Sequence, residues 1–114
     1  ISLNTEPGLC SAVTTFNVLS TDNCPGETVV LRAGLPSGST FPLGNTVNEF
    51  QVSDASGNLS PSCDFNVLVV DNQTPSIVCP ADMTVNASAD GCSAVVTFAY
   101  TVADNCLSTV VTTT

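Results

Sequence analysis

Apolar and polar residues alternate along much of this chain with a period of two. Ala94, Val96, Phe98 and Tyr100 interleave with Ser93, Val95, Thr97 and Ala99, and an earlier series, Ala12, Thr14, Phe16 and Val18, has the same form. Thr28 to Arg32 is a short β-branched run. Gly44 to Asp54 sets Phe50 and Val52 on one face, and Cys63 to Val70 points Phe65, Val67 and Val69 inward. Ile77 to Val85 carries Ile77, Met83 and Val85. Successive side chains of a strand project to opposite faces, so each stretch predicts a half-buried strand. No stretch has the i, i+3, i+4, i+7 spacing of an amphipathic helix.

Turn chemistry separates these runs. Gly34-Leu35-Pro36-Ser37-Gly38, Phe41-Pro42-Leu43-Gly44, Asp54-Ala55-Ser56-Gly57-Asn58 and Ala89-Asp90-Gly91 all place Gly, Pro, Asp or Asn where the backbone must reverse. Many short strands with such spacing predict an all-β fold, an immunoglobulin-like β-sandwich. The Cys…Trp…Cys signature of true immunoglobulin domains is missing, because the chain has no Trp. Phe16, Phe50, Phe65 and Phe98 are the expected core aromatics. Phe41 and Tyr100 are the candidates for exposed ones, although a core or turn place accounts for each.

Self-comparison reveals a repeat of 82 residues. At that shift Cys10-Ser11-Ala12-Val13 falls on Cys92-Ser93-Ala94-Val95, Thr15-Phe16 on Thr97-Phe98, and Asp22-Asn23-Cys24 on Asp104-Asn105-Cys106. Between Ile1–Arg32 and Met83–Thr114, 11 of 32 positions are identical, both cysteines among them. The unit boundary is expected near Asp71-Asn72-Gln73-Thr74-Pro75, where a strand-like run meets polar turn residues and a Pro. Residues 1–71 are then one unit lacking its opening strand, and residues 72–114 the opening half of the next. The chain is therefore expected to be a tandem repeat cut out of register.

Two sets of motifs share a distinctive order. Pro75-Ser76-Ile77-Val78-Cys79-Pro80, Gly91-Cys92-Ser93-Ala94 and Asp104-Asn105-Cys106 resemble the opening half of a hyalin repeat, the HYR module. Gly38-Ser39-Thr40-Phe41-Pro42-Leu43-Gly44, Asp54-Ala55-Ser56-Gly57-Asn58 and Cys63-Asp64-Phe65-Asn66-Val67 resemble its closing half. One departure is Asn48, where the family usually places an apolar residue. The resemblance implies an immunoglobulin-like module of the kind that occurs in tandem in extracellular, adhesive or matrix-forming proteins.

Charge narrows the partners. The net charge is −9, from ten acidic residues against the single base Arg32, and there is no Lys or His. A nucleic-acid partner needs Lys and Arg against its phosphates, and an anionic lipid surface needs the same, so neither is expected. No apolar run approaches the ~20 residues of a membrane-spanning helix, so no membrane insertion is expected. No initiator Met or export signal is present, which reads as a removed signal or an internal slice of a longer chain. Six cysteines without a His point to disulfides and an oxidising compartment, hence a secreted, extracellular or cell-surface protein. Asn58, Asn72 and Asn86 each begin an N-glycosylation sequon, with Pro61 and Pro75 directly after the first two.

Catalysis finds little to work with. Activating a Ser or Cys nucleophile normally takes a His or Lys, and the chain has neither. A two-carboxylate glycosidase would need a sugar-sized cleft that a small sandwich rarely has. No enzyme activity, cofactor or metal is therefore expected. Asp54, Asn58 and the Asp-Asn-Cys loops could offer oxygen ligands to calcium, but their acid density is low and turn capping explains them better.

In an immunoglobulin-like layout Cys24 follows the second strand and Cys63 begins the last, both at one end, which makes a Cys24–Cys63 bond natural. Cys79 and Cys92 then pair in the opening hairpin of the second unit. By the 82-residue spacing, Cys10 and Cys106 are expected to bond to sequence outside the chain or stay unpaired. Residues 72–114, a hairpin without a sheet, are expected to pack on a copy of the chain, giving a linear head-to-tail polymer. The leading expectation is thus a structural or adhesive repeat of a fibre, stalk or matrix. The alternative is an adhesion module that reads a ligand or glycan through its loops.

Overall fold

The computed structural model describes residues 1–106 and 110–112 and is all-β, with no helix among them. The chain forms two compact units, Ile1–Gln73 and Thr74–Thr114.

The first unit is an immunoglobulin-like sandwich. Its larger sheet contains β1 (Ser2–Asn4), β3 (Thr28–Ala33), β5 (Gly44–Ser53) and β6 (Cys63–Val70), in the spatial order β1-β6-β5-β3. Its smaller sheet pairs β2 (Ser11–Val13) with β4 (Thr40–Pro42), placing Ala12 opposite Phe41. Antiparallel pairing of β5 with β6 sets Thr46 opposite Val67 and Phe50 opposite Cys63. β1 runs parallel to β6, with Leu3 opposite Val69.

Period-two patterning explains the core. The alternate β6 residues Val67 and Val69 are buried and meet Ala12 and Phe41 of the smaller sheet. Leu3, Phe16, Leu35 and Phe65 pack around that centre. Phe16 joins the sheets: its ring centroid lies 4.9 Å from that of Phe65, 5.9 Å from Phe50 and 6.5 Å from Phe41. Edge-to-face pairs at such distances favour the aromatic quadrupoles as well as burying area.

The structure decides two of the aromatics, burying Phe41 and reversing the expectation for Phe98. Phe41 is fully buried, because it sits on β4 directly opposite Ala12 and fills the space that the small side chain leaves. Phe98 is 63% exposed, because residues 93–100 form no strand.

The second unit has only β7 (Ser76–Val78) and β8 (Thr101–Ala103), paired antiparallel with Ile77 opposite Val102. The strand expected over Ile77 to Val85 stops at Val78, where Cys79 and Pro80 follow. Pro carries no N–H for a ladder, so the run ends there.

Candidate functional site

The most organised surface feature of the first unit is the loop that joins β5 to β6. Asp54 is its organiser. Its Oδ1 accepts the N–H groups of Ser56 at 2.9 Å and Asn58 at 2.7 Å, and its Oδ2 accepts the Asn58 side-chain amide at 2.6 Å. The backbone closes the same turn, with Asp54 N–H donating to the Asn58 carbonyl at 3.0 Å. Gly57 donates to the Asp54 carbonyl at 3.1 Å and lies at φ +86°, a conformation that Gly adopts without steric cost. The side-chain bond from Asn58, followed by the Asn58 backbone N–H, holds the Asp54 carboxyl below its ordinary value of 3.8. Ser60 then returns the chain to the ladder, accepting the Val52 N–H on its Oγ and donating its own N–H to Val52, both at 2.9 Å.

Beside this loop lies a cleft of about 250 Å³, lined by Thr21, Asp22, Val52, Asp54, Asn58, Leu59 and Ser60. The segment through Gly26 approaches the loop closely: a Cβ on Gly26 would stand 3.3 Å from that of Ala55. Small-molecule pockets usually begin at about 300 Å³, so the cleft is below the common range. Both carboxylates are turned onto their own loops, since Asp22 Oδ1 accepts the Asn23 N–H at 2.7 Å. No group of three or more His, Cys, Asp or Glu able to hold a metal ion occurs among the described residues. The chemistry of this end is therefore turn capping, with Asn58 held in place by Asp54.

Asn58, Asn72 and Asn86 are all exposed. Only Asn58 has its side-chain amide engaged in a defined bond among those three, the one to Asp54.

The cysteines fall into two groups. Cys24, Cys63, Cys79 and Cys92 are exposed free thiols, whereas Cys10 and Cys106 are disulfide-bonded. Cys63 opens β6 where the sheet ends, and Cys24 lies in a loop, so neither thiol is held against a partner. Cys79 and Cys92 fall in residues 79–100, where no ladder forms to bring them together. The 82-residue spacing relates equivalent cysteines but does not decide which thiols meet.

A second polar constellation, around Thr5 and Gln73, was not visible in the sequence pattern. Gln73 Nε2 donates to Thr5 Oγ1 at 3.1 Å and to the Glu6 carbonyl at 2.9 Å, while its Oε1 accepts the Gly8 N–H at 3.0 Å. Asp71 Oδ1 accepts the Gln73 N–H at 3.0 Å and the Thr5 hydroxyl at 3.3 Å. Asp followed two residues later by a donated N–H is a local capping signal that could have marked the turn. The distant partners Thr5 and Glu6 carried no such signal.

Residues 1–69 match the family model of the HYR domain. The chain is 33% identical over 76 residues to hyalin of Strongylocentrotus purpuratus, a stretch that covers 65% of this chain and 6% of hyalin. The matched stretch is thus a small fraction of that relative's length. No solved structure matches the chain significantly.

Proposed function

The chain belongs to the HYR domain family, and from that premise we propose that it serves as an extracellular, non-catalytic adhesive repeat that assembles with copies of itself into a linear fibre, stalk or matrix. The observation that carries this reading is the contrast between the two units. The first has a two-sheet core, while the second is a two-stranded ladder with Ile77 55% exposed. An isolated two-stranded hairpin is marginal in water, and exposed strand edges invite pairing with another chain. Tandem 82-residue spacing supplies the geometry for repeated, head-to-tail contacts. Disulfide chemistry and similarity to hyalin support the extracellular setting. The alternative, a loop-based reader of glycans, loses one of its two candidate aromatics because Phe41 is buried.

Sedimentation of the 114-residue chain across concentration, followed by electron microscopy of the associated fraction, tests the proposal. Open-ended linear assemblies are the expected outcome. A chain that stays monomeric at millimolar concentration, or closes into compact dimers, overturns it.

A further inference from the structure

Residues 14–21 continue β2 as an extended segment without a paired strand of their own. The side chains of Thr14, Phe16, Val18 and Ser20 are half-buried, while those of Thr15, Asn17, Leu19 and Thr21 are exposed. That alternation is the mark of an extended strand lying on a core. On the β4 side, Gly38 N–H donates to the Thr14 carbonyl at 2.9 Å, and Ser37 Oγ accepts the Phe16 N–H at 2.8 Å. Glu6 covers the start of the other edge: its N–H donates to Ser11 at 2.8 Å, and its Oε1 accepts the Val13 N–H at 3.2 Å. Beyond that point the cover stops. Leu19, Ser20 and Thr21 make no backbone hydrogen bond among the described residues, and Leu19 is 91% exposed.

The repeat indicates what fits there. At the 82-residue shift Leu19–Thr21 corresponds to Thr101–Ala103, which is β8, and β8 is paired with β7. We propose that Leu19–Thr21 is an acceptor edge for a strand of β7 sequence from a second copy of this chain, with Ser76 opposite Thr21, Ile77 opposite Ser20 and Val78 opposite Leu19. This deepens the assembly reading above by naming the surface and the register.

The placement suits the side chains. Directly opposed residues share a face, so Ile77 falls on the half-buried side with Ser20 and gains apolar cover that the two-stranded ladder denies it. Val78 meets Leu19 on the outer face as an apolar cross-strand pair. Strand addition of this kind draws affinity from main-chain hydrogen bonds and specificity from alternate side chains. The donated strand exchanges a marginal hairpin for the edge of a two-sheet sandwich.

Amide exchange of the 114-residue chain tests the slot, with and without a synthetic peptide of the Gln73–Pro80 sequence carrying Cys79→Ser. Millimolar peptide should slow exchange at Leu19 and Thr21 by at least about tenfold. The same peptide with Val78→Pro should not, because it lacks the N–H that faces Leu19. Unchanged exchange at those two amides, or equal protection by both peptides, overturns the slot. If the chain self-associates while Leu19 and Thr21 stay unprotected, the slot fails and the assembly reading stands. If the peptide protects them but the chain alone stays monomeric, the slot stands and the assembly reading fails.

Discussion

Asn48 Oδ1 accepts the backbone N–H of Leu35 at 2.7 Å, tying the middle of β5 to the turn that leaves β3. Asn48 is fully buried, and its Nδ2 finds no partner. One bond is therefore made and one donor left over, so the residue is retained for its oxygen. Replacing it removes the acceptor shown for a part-buried turn N–H, and orphaning such a donor costs at most about 1–3 kcal/mol. Asn48→Ala should lower the urea midpoint by that order. Asn48→Leu restores the apolar pattern of the strand yet should also destabilise. A higher midpoint for Asn48→Leu would show that the acceptor is not what matters.

Gly34 is bound into the same arrangement. It lies at φ +88°, and a Cβ there would stand 2.6 Å from the Val47 carbonyl oxygen and 2.8 Å from Asn48 Cα. Gly38 has a similar φ of +84° but nothing within 4 Å of its virtual Cβ. Gly38→Ala thus measures the conformational penalty alone, about 1–3 kcal/mol, and Gly34→Ala adds a backbone clash that no side-chain rotation relieves. The expected order of thermal stability is wild type, then Gly38→Ala, then Gly34→Ala. Equal losses for the two variants would remove the packing argument.

Patterning foretold β5 and β6 because each is long enough for alternation to stand out, and β3 as a β-branched run, all three bounded by turn residues. It foretold the HYR resemblance through motifs that are turns, such as Asp54-Ala55-Ser56-Gly57-Asn58, whose hydrogen bonds are local. It failed where the outcome depends on neighbours distant in sequence. Residues 14–20 alternate as a strand should, yet form no ladder with a partner strand among the described residues. Phe41 looked like a turn residue beside Pro42, and only its pairing opposite Ala12 reveals it as core. The Gln73–Thr5 bond was illegible for the same reason.

The contrast between Phe41 and Phe98 can be measured directly. Phe41 is fully buried between the sheets, so Phe41→Ala loses both transfer energy and packing, about 3–5 kcal/mol. Phe98 is 63% exposed, and Phe98→Ala should change the unfolding midpoint of the first unit very little. Denaturation followed by a probe in the β5–β6 hairpin checks both. Comparable losses would place Phe98 in a core after all.

Asp54 gives the hairpin loop an acid sensitivity of definite sign. Its carboxyl is held below the ordinary value of 3.8, chiefly by the Asn58 side-chain amide. A depressed folded-state value means that the stabilisation is present above the unfolded value and lost as pH falls through the folded one. The loop should therefore be intact at pH 5 and above, and loosen only below about pH 4. The amide signals of Ser56 and Asn58 report this by shifting together as their acceptor is protonated. In Asp54→Asn that shared transition should vanish. Its persistence would assign it to another carboxylate.

Cys24 and Cys63 lie toward the same end of the first unit, although both are free thiols. Thr28 stands opposite Ser53 at the start of β3, and Phe50 stands opposite Cys63 at the start of β6. Gly26 comes up against Ala55 in the loop between β5 and β6, which brings the Cys24 segment to that end. Both sulfurs are exposed and so open to an oxidant. In an oxidising compartment such thiols do not persist, and proximity selects the partner. Mild oxidation of the chain should join Cys24 to Cys63 and close a loop of about 40 residues, adding roughly 3–4 kcal/mol on the chain-entropy estimate. Cys24→Ser and Cys63→Ser should each abolish that gain, and the double variant should lose no more than either single one. Peptide mapping without reduction identifies the bond, and a product linking Cys24 to Cys79 or Cys92 would refute the pairing.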